Sequence, residues 1–158
     1  KGVARAASLA LGMEVWVANR PGGERRAGRH DLDELLPQVD VLSLHCPLTP
    51  ATQDLIGARE LARMKPDALL INTARGALVD SQALADALRA GKLGGAAIDV
   101  LPQEPPVAGN PLLSADIPNL IVTPHVAWAA REARQRCLDE MAANVEDFAR
   151  GGHRGRVV

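Results

Sequence analysis

The sequence has few aromatic residues and almost no net charge, and each scarcity argues against a class of function. Trp16, Trp128 and Phe148 are its aromatic residues, so few rings are available to stack on single-stranded nucleic acid. The formal net charge is −1, whereas nucleic-acid binders usually carry a basic excess. No apolar run approaches the roughly 20 residues of a membrane span. We therefore expect neither a nucleic-acid partner nor a membrane partner.

Cysteine is scarce as well, with Cys46 and Cys137 as the two representatives. Two isolated cysteines form no disulfide pattern, which favours a reduced, cytoplasmic protein. No group of histidine, cysteine and aspartate has metal-ligand spacing, so we expect no metal site. Cys46 precedes Pro47 without an evident base partner, and we interpret it as a packing residue rather than as a nucleophile.

Short apolar runs that alternate with helical stripes are what the sequence does contain. A length of 158 residues suits one domain, and 47% hydrophobic residues predict a globular core. Strands that alternate with helices predict parallel βαβ units, and therefore an α/β fold of the Rossmann type with a doubly wound parallel sheet. The predicted strands are 13–18, 41–44, 68–71, 95–98 and 120–122, and the predicted helices are 2–11, 32–36, 57–64, 81–90 and 129–150.

Three polar residues each follow an apolar, strand-like run. Arg75 offers a guanidinium for an anionic substrate, Glu104 a carboxylate, and His125 an imidazole that a carboxylate could orient. Parallel sheets bind ligands at the carboxyl ends of their strands, so the three side chains could converge on one crevice. Alone, each would more often be a surface or structural residue. Their shared position favours proton and hydride transfer on a 2-oxo or 2-hydroxy acid.

Several ordered motifs give the chain a family resemblance. They lie at residues 44–49, 72–80, 97–100, 104–105, 110–113 and 119–125. With these motifs, the chain from residue 2 to about 150 resembles the NAD-binding domain of the D-isomer-specific 2-hydroxyacid dehydrogenases. Residues 125–128 and 131–134 are similar to the glycerate dehydrogenase and hydroxypyruvate reductase branch of that family.

The resemblance implies an oxidoreductase that acts on glycerate, hydroxypyruvate or glyoxylate. Arg75 would hold the substrate carboxylate and polarise its carbonyl, and His125 would donate the proton in reduction. Glu104 would pair with His125, since a neighbouring carboxylate stabilises the charged imidazolium. The resemblance also implies a homodimer. A cofactor-sensing binding protein on the same fold, like the corepressor relatives of the family, is the alternative that turnover of hydroxypyruvate would exclude.

The resemblance further implies a nicotinamide cofactor, NAD(H) or NADP(H). The acid that binds the ribose in NAD-dependent relatives is replaced by Asn19 followed by Arg20. Loss of the acid together with gain of an arginine accommodates a 2′-phosphate, so we favour NADP(H). Asp99 would face the nicotinamide amide. The predicted cofactor contacts are Asn19, Arg20, Cys46, Pro47, Thr52, Thr73, Ala74, Arg75, Asp99, His125, Ala127 and Trp128.

The chain departs from the family pattern because it lacks the glycine fingerprint that should follow the first strand. We therefore expect residues 1–150 to form a dinucleotide-binding domain that is truncated at its N-terminus, without the first strand and glycine-rich loop. Residues 13–18 and 67–72 would be the second and fourth strands of the sheet, unpaired with each other, and cofactor affinity and stability would be low. Residues 151–158 would be a tail that belongs to an absent substrate domain, and residues 153–158 would lack contacts of their own.

Overall fold

The computed structural model describes residues 2–155, which form two compact units that divide between Pro124 and His125. None of the helices in this range is long and apolar enough to cross a bilayer. The helices are α1 (Gly2–Leu11), α2 (Leu32–Leu35), α3 (Ala58–Leu61), α4 (Ser81–Arg89) and α5 (Arg131–Ala149). The strands are β1 (Val41–Leu44), β2 (Leu69–Asn72), β3 (Gly95–Ile98) and β4 (Leu120–Val122).

The first unit is built on a four-stranded parallel sheet in the order β1-β2-β3-β4. This arrangement confirms the predicted α/β fold with a parallel sheet. The register aligns the last residues of the strands, because Leu44 pairs with Asn72, Asn72 with Ile98, and Ile98 with Val122. The loops that follow the strands therefore start side by side along one edge of the sheet.

Helix α4 shows how the sequence builds the core beside this sheet. The carboxylate of Asp80 accepts hydrogen bonds from the backbone N–H groups of Gln82 and Ala83, so it caps the helix as predicted. Leu84 and Leu88 recur at helical spacing and are buried. Fully burying a leucine contributes about 1.5–3 kcal/mol. The core also contains Leu36, Leu42, Leu44, Ile56, Leu61, Leu70, Leu78, Leu93, Ile98 and Leu112.

The predicted strand at residues 13–18 is wrong. This segment makes a single bridge, from Ala18 to His30. In it, the backbone N–H of His30 donates to the carbonyl of Val17, and the N–H of Asn19 donates to the carbonyl of His30. A segment becomes a strand only when a neighbour pairs along its length, and His30 provides one residue of pairing. Residues 13–18 and 67–72 are accordingly not paired with each other, as predicted.

The predicted places of the strands within the sheet also need correction. If residues 13–18 are the second strand and 67–72 the fourth, then residues 41–44 are the third. In the doubly wound order 3-2-1-4-5-6 the third and fourth strands are not neighbours. Instead β1 pairs directly with β2 along its whole length. Strands that follow one another in chain order match the half of such a sheet that begins with the fourth strand. Residues 69–72 are paired on both sides, with β1 and with β3, so the predicted place of this strand beside a missing first strand is wrong.

Two long helices match the predicted segments but carry no buried residue. Helix α1 ends at Leu11, and Gly12 follows it with a φ of 65°, a conformation that glycine adopts without strain. Helix α5 lies in the second unit, where Met141 and Phe148 are 58% and 80% exposed.

The tail is described only as far as residue 155, and residues 156–158 lie outside the described range. The backbone N–H of Arg154 donates to Asp147, and its guanidinium bonds Glu140 at 2.9 Å. The expectation that the tail lacks contacts is therefore wrong for Arg154.

Candidate active site

The loop that carries Arg75 is held by the last residue of β2. The side chain of Asn72 is fully buried, accepts a hydrogen bond from the backbone N–H of Ala74 at 3.0 Å and donates one to the carbonyl of Arg75 at 2.9 Å. This Asx-type turn fixes the backbone on both sides of the loop. The exposed guanidinium of Arg75 donates to the Ala74 carbonyl at 2.6 Å. Since a guanidinium carries five N–H donors, it keeps others for an anion.

Gly76 packs the Arg75 loop directly against the loop that carries Glu104. A Cβ atom added at Gly76 would lie 2.0 Å from the carbonyl carbon of Leu101 and 2.3 Å from the nitrogen of Pro102. The carboxylate of Glu104 accepts a hydrogen bond from the backbone N–H of Leu101 at 2.8 Å. The structure thus brings together two of the three segments that the sequence singles out.

A buried carboxylate lies where β3 ends. Asp99 is 5% exposed, and its carboxylate accepts a hydrogen bond from the hydroxyl of Thr123 at 2.5 Å. Its backbone N–H donates to the carbonyl of Asn72 at 2.9 Å, which extends the sheet by one residue. Asp99 therefore has a fixed position at the edge where the loops begin. Its predicted contact with the nicotinamide amide stays a prediction.

The loop after β1 contains three of the predicted cofactor contacts. Thr52 is buried, and its hydroxyl donates to the carbonyl of Pro47 at 2.8 Å and accepts from the backbone N–H of Thr49 at 2.8 Å. Thr52 therefore stabilises the shape of this loop. Burial raises the pKa of the Cys46 thiol, while a backbone hydrogen bond and the charge of Arg20 oppose the increase. A thiol with a raised pKa suits packing better than nucleophilic attack.

Asn19 lies in a basic cavity near the start of α2. Its amide donates to the carboxylate of Asp31 at 3.1 Å and accepts from the backbone N–H of Arg26 at 3.1 Å. Asp31 also forms an ion pair with Arg25. We call this region the arginine pocket. Its volume is about 290 Å³, and its lining residues are Asn19, Arg25, Arg26, Ala27, Arg29, Asp31 and Glu34.

The donors of the arginine pocket fit the ribose end of a dinucleotide. Its lining contains three arginines, one amide and the two carboxylates of Asp31 and Glu34, and such groups bond phosphate and hydroxyl oxygens. The charge of Arg20 acts to lower the pKa of the Cys46 thiol in the loop after β1. The exposed Thr73 and half-buried Ala74 lie at the same sheet edge. These groups would hold a nicotinamide dinucleotide.

His125, Ala127 and Trp128 belong to the second unit. His125 is half-buried and has a φ of 54°, which is uncommon for a residue with a side chain. The indole N–H of Trp128 donates to the carbonyl of His125 at 2.7 Å, although 58% of the Trp128 residue is exposed. The turn that presents His125 is thus fixed by Trp128.

Within residues 2–155, no group of three or more histidine, cysteine, aspartate or glutamate side chains is arranged so that it could bind a metal ion.

Sequence reasoning missed four residues that shape these sites. Asn72 and Gly76 position the Arg75 loop, and Thr123 bonds Asp99. Asp31 contacts Asn19 and Arg25. An asparagine at the end of a strand, two residues before a loop N–H, is a signal that could have identified Asn72. The contacts of the other three join positions that only the folded chain brings together.

The chain matches a family of known proteins. Residues 1–127 match the family model described as D-isomer specific 2-hydroxyacid dehydrogenase, NAD binding domain. The glycerate dehydrogenase of Methylorubrum extorquens is 57% identical to the chain over 124 residues, which cover 78% of the chain and 40% of that protein.

Two solved structures resemble the chain closely. The D-lactate dehydrogenase with NAD+ from Lactobacillus jensenii has a TM-score of 0.78 and 33% identity, over 99% of this chain and 51% of that one. An acyclic imino acid reductase in complex with NADPH and D-Arg has a TM-score of 0.76 and 34% identity, over 94% of this chain and 47% of that one. The chain therefore spans about half the length of these relatives.

Proposed function

We propose, because this chain belongs to the D-isomer specific 2-hydroxyacid dehydrogenase family, that the full protein transfers a hydride between a nicotinamide and a small D-2-hydroxy acid. The observation that carries the proposal is the Arg75 loop, which Asn72 fixes and Gly76 packs against the Glu104 loop. Similarity to a glycerate dehydrogenase supports glycerate and hydroxypyruvate, or glyoxylate, as substrates.

The proposed domain organisation, cellular location and oligomeric state follow from membership of the family. Residues 1–150 serve as the dinucleotide-binding domain, and residues 151–158 lead towards a substrate domain. The enzyme works in the cytoplasm as a homodimer.

The proposed roles follow the chemistry of each side chain. Arg75 binds the substrate carboxylate with two parallel N–H bonds and polarises the adjacent carbonyl. His125 donates a proton to the carbonyl oxygen during reduction. Glu104 supplies the negative charge that stabilises the imidazolium form of His125. A bound nicotinamide supplies the hydride, and Asp99 orients its amide.

The proposed cofactor is NADP(H) in preference to NAD(H). Asn19 stands where NAD-dependent relatives carry an acid, and Arg20 follows it. Three further arginines line the pocket around Asn19, and a 2′-phosphate carries the charge that arginine recognises. The fold accommodates either cofactor, since one similar structure contains NAD+ and another contains NADPH.

Turnover with each nicotinamide tests the activity and the cofactor together. The full protein is expected to reduce hydroxypyruvate with a higher kcat/KM for NADPH than for NADH, and Arg20→Ala to lower the NADPH value by about tenfold, as expected for a lost charged hydrogen bond. Arg63→Ala, which removes an arginine that bonds Asp33, is the matched control. Strong preference for NADH that Arg20→Ala leaves unchanged would make Arg20 a surface residue. Absence of turnover with either nicotinamide would favour a cofactor-sensing protein.

The pH dependence of reduction tests the role of Glu104. In Glu104→Gln the charge that favours the imidazolium is lost, so the decline of kcat/KM on the alkaline side should move down by about one pH unit. Glutamine keeps an oxygen that can accept from Leu101 N–H, so the loop contact is conserved. Glu146→Gln, an exposed residue of α5, is the control. An unshifted profile would separate Glu104 from proton transfer.

A further inference from the structure

The arginine pocket contains two carboxylates, Asp31 and Glu34, although Asn19 replaces the acid expected after the second strand. Asp31 immediately precedes α2, and its Oδ1 atom accepts from the Asn19 amide at 3.1 Å. Its other oxygen pairs with Arg25. The Asp31 side chain is 29% exposed and that of Arg25 is 80% exposed, so the carboxylate is the more enclosed partner. The replacement of an acid by Asn19 therefore does not make the pocket purely basic.

A carboxylate in this position affects the two nicotinamides in opposite ways. It accepts a hydrogen bond from a ribose 2′-hydroxyl, as an acid after the second strand does in NAD-dependent proteins. A 2′-phosphate carries about −1.5 to −2 charges near neutral pH, and a nearby carboxylate repels it. Asp31 also neutralises Arg25, which removes one of the arginine charges that would attract the phosphate.

We infer that Asp31 determines cofactor specificity: it restrains the preference of the arginine pocket for a 2′-phosphate and keeps NAD(H) usable. This inference rests on the proposed nicotinamide chemistry but concerns a residue outside the segments that carry the family resemblance. Arg26 and Arg29 supply the attraction for phosphate, while the Asp31–Arg25 pair sets its limit.

Asp31→Asn in the full protein isolates the charge. Asparagine caps a helix about as well as aspartate, so the start of α2 should be conserved. We expect affinity for 2′,5′-ADP to rise by about fivefold, the size of one partly screened charge interaction, and affinity for ADP to fall or stay constant. Isothermal titration calorimetry with these two nucleotides measures this without turnover. The ratio of kcat/KM for NADPH to that for NADH should rise in parallel.

Asp33→Asn is the matched control, because Asp33 lies two residues further on and its carboxylate bonds Arg59. It removes the same charge at a neighbouring position, and we expect both affinities to stay unchanged. A 2′,5′-ADP affinity that falls in Asp31→Asn, as it would if Asp31 served to anchor Arg25 for the phosphate, overturns the inference. An equal rise in 2′,5′-ADP affinity in Asp33→Asn also overturns it, since the rise would then come from the lower negative charge of the region and not from the position of Asp31.

The two readouts separate this inference from the proposed function. A shift in nucleotide affinity without hydroxypyruvate turnover supports the role of Asp31 and contradicts the dehydrogenase. Turnover without a shift contradicts the role of Asp31 alone. Failure of the wild-type protein to bind either nucleotide excludes the arginine pocket as a cofactor site and overturns the inference.

Discussion

Arg75→Ala in the full protein is expected to lower kcat/KM for hydroxypyruvate by on the order of 10³-fold, because it removes the proposed partner of the substrate carboxylate and carbonyl. Fold stability should change little, since the guanidinium is exposed and its described bond goes to the neighbouring Ala74 carbonyl. Steady-state kinetics with hydroxypyruvate and NADPH, together with a thermal melt, measure the two effects.

Two further variants sharpen the assignment of Arg75. Arg75→Lys keeps the charge but loses the planar fork, so it should recover part of the activity and remain well below wild type. Arg89→Ala serves as the control, because Arg89 is an arginine of the same unit that pairs with Asp116 at 2.8 Å. Near-wild-type turnover in Arg75→Ala would remove Arg75 from the site.

The sheet could be predicted from short apolar runs. Residues 41–44, 95–98 and 120–122 are such runs, which are typical of strands in a parallel sheet. Residues 13–18 show the same composition, yet the segment makes one bridge, from Ala18 to His30, and forms no strand. Composition indicates which segments can form strands. Whether a neighbouring strand lies beside a given segment depends on the tertiary fold, which composition does not predict.

The same distinction holds for the site. The position of Arg75 after a strand could be read from the sequence, because the carboxyl ends of parallel strands share one edge. The contact between Gly76 and Leu101 could not, because 25 positions separate the two residues and periodicity carries no information at that distance. The ion pair of Asp31 with Arg25 was missed for another reason. Both residues lie in a loop region without periodicity, where charged residues usually face solvent.

The close approach at Gly76 makes this glycine the most sensitive position of the site. In Gly76→Ala the new methyl group would meet the Leu101–Pro102 peptide, with its nearest atoms at 2.0 Å and 2.3 Å. Backbone atoms cannot turn aside as a flexible side chain can, so one of the two loops must move. We expect a loss of about 2–3 kcal/mol in the free energy of unfolding, as for an overpacked core. We also expect kcat/KM to fall by about 10²-fold, since a displacement of roughly 1 Å is enough for that.

Gly57→Ala provides the matched control for Gly76→Ala. Gly57 precedes α3, and a Cβ there would meet its nearest atom, a Glu60 carboxylate oxygen, at 3.6 Å, which is an ordinary contact. Its free energy of unfolding should fall by no more than about 1 kcal/mol, the cost of replacing a glycine cap by alanine. Urea unfolding of both variants, combined with hydroxypyruvate kinetics, distinguishes the two positions. If Gly76→Ala were as stable and active as Gly57→Ala, the Arg75 and Glu104 loops would not be in the contact described, and the proposed site would lose the observation on which it depends.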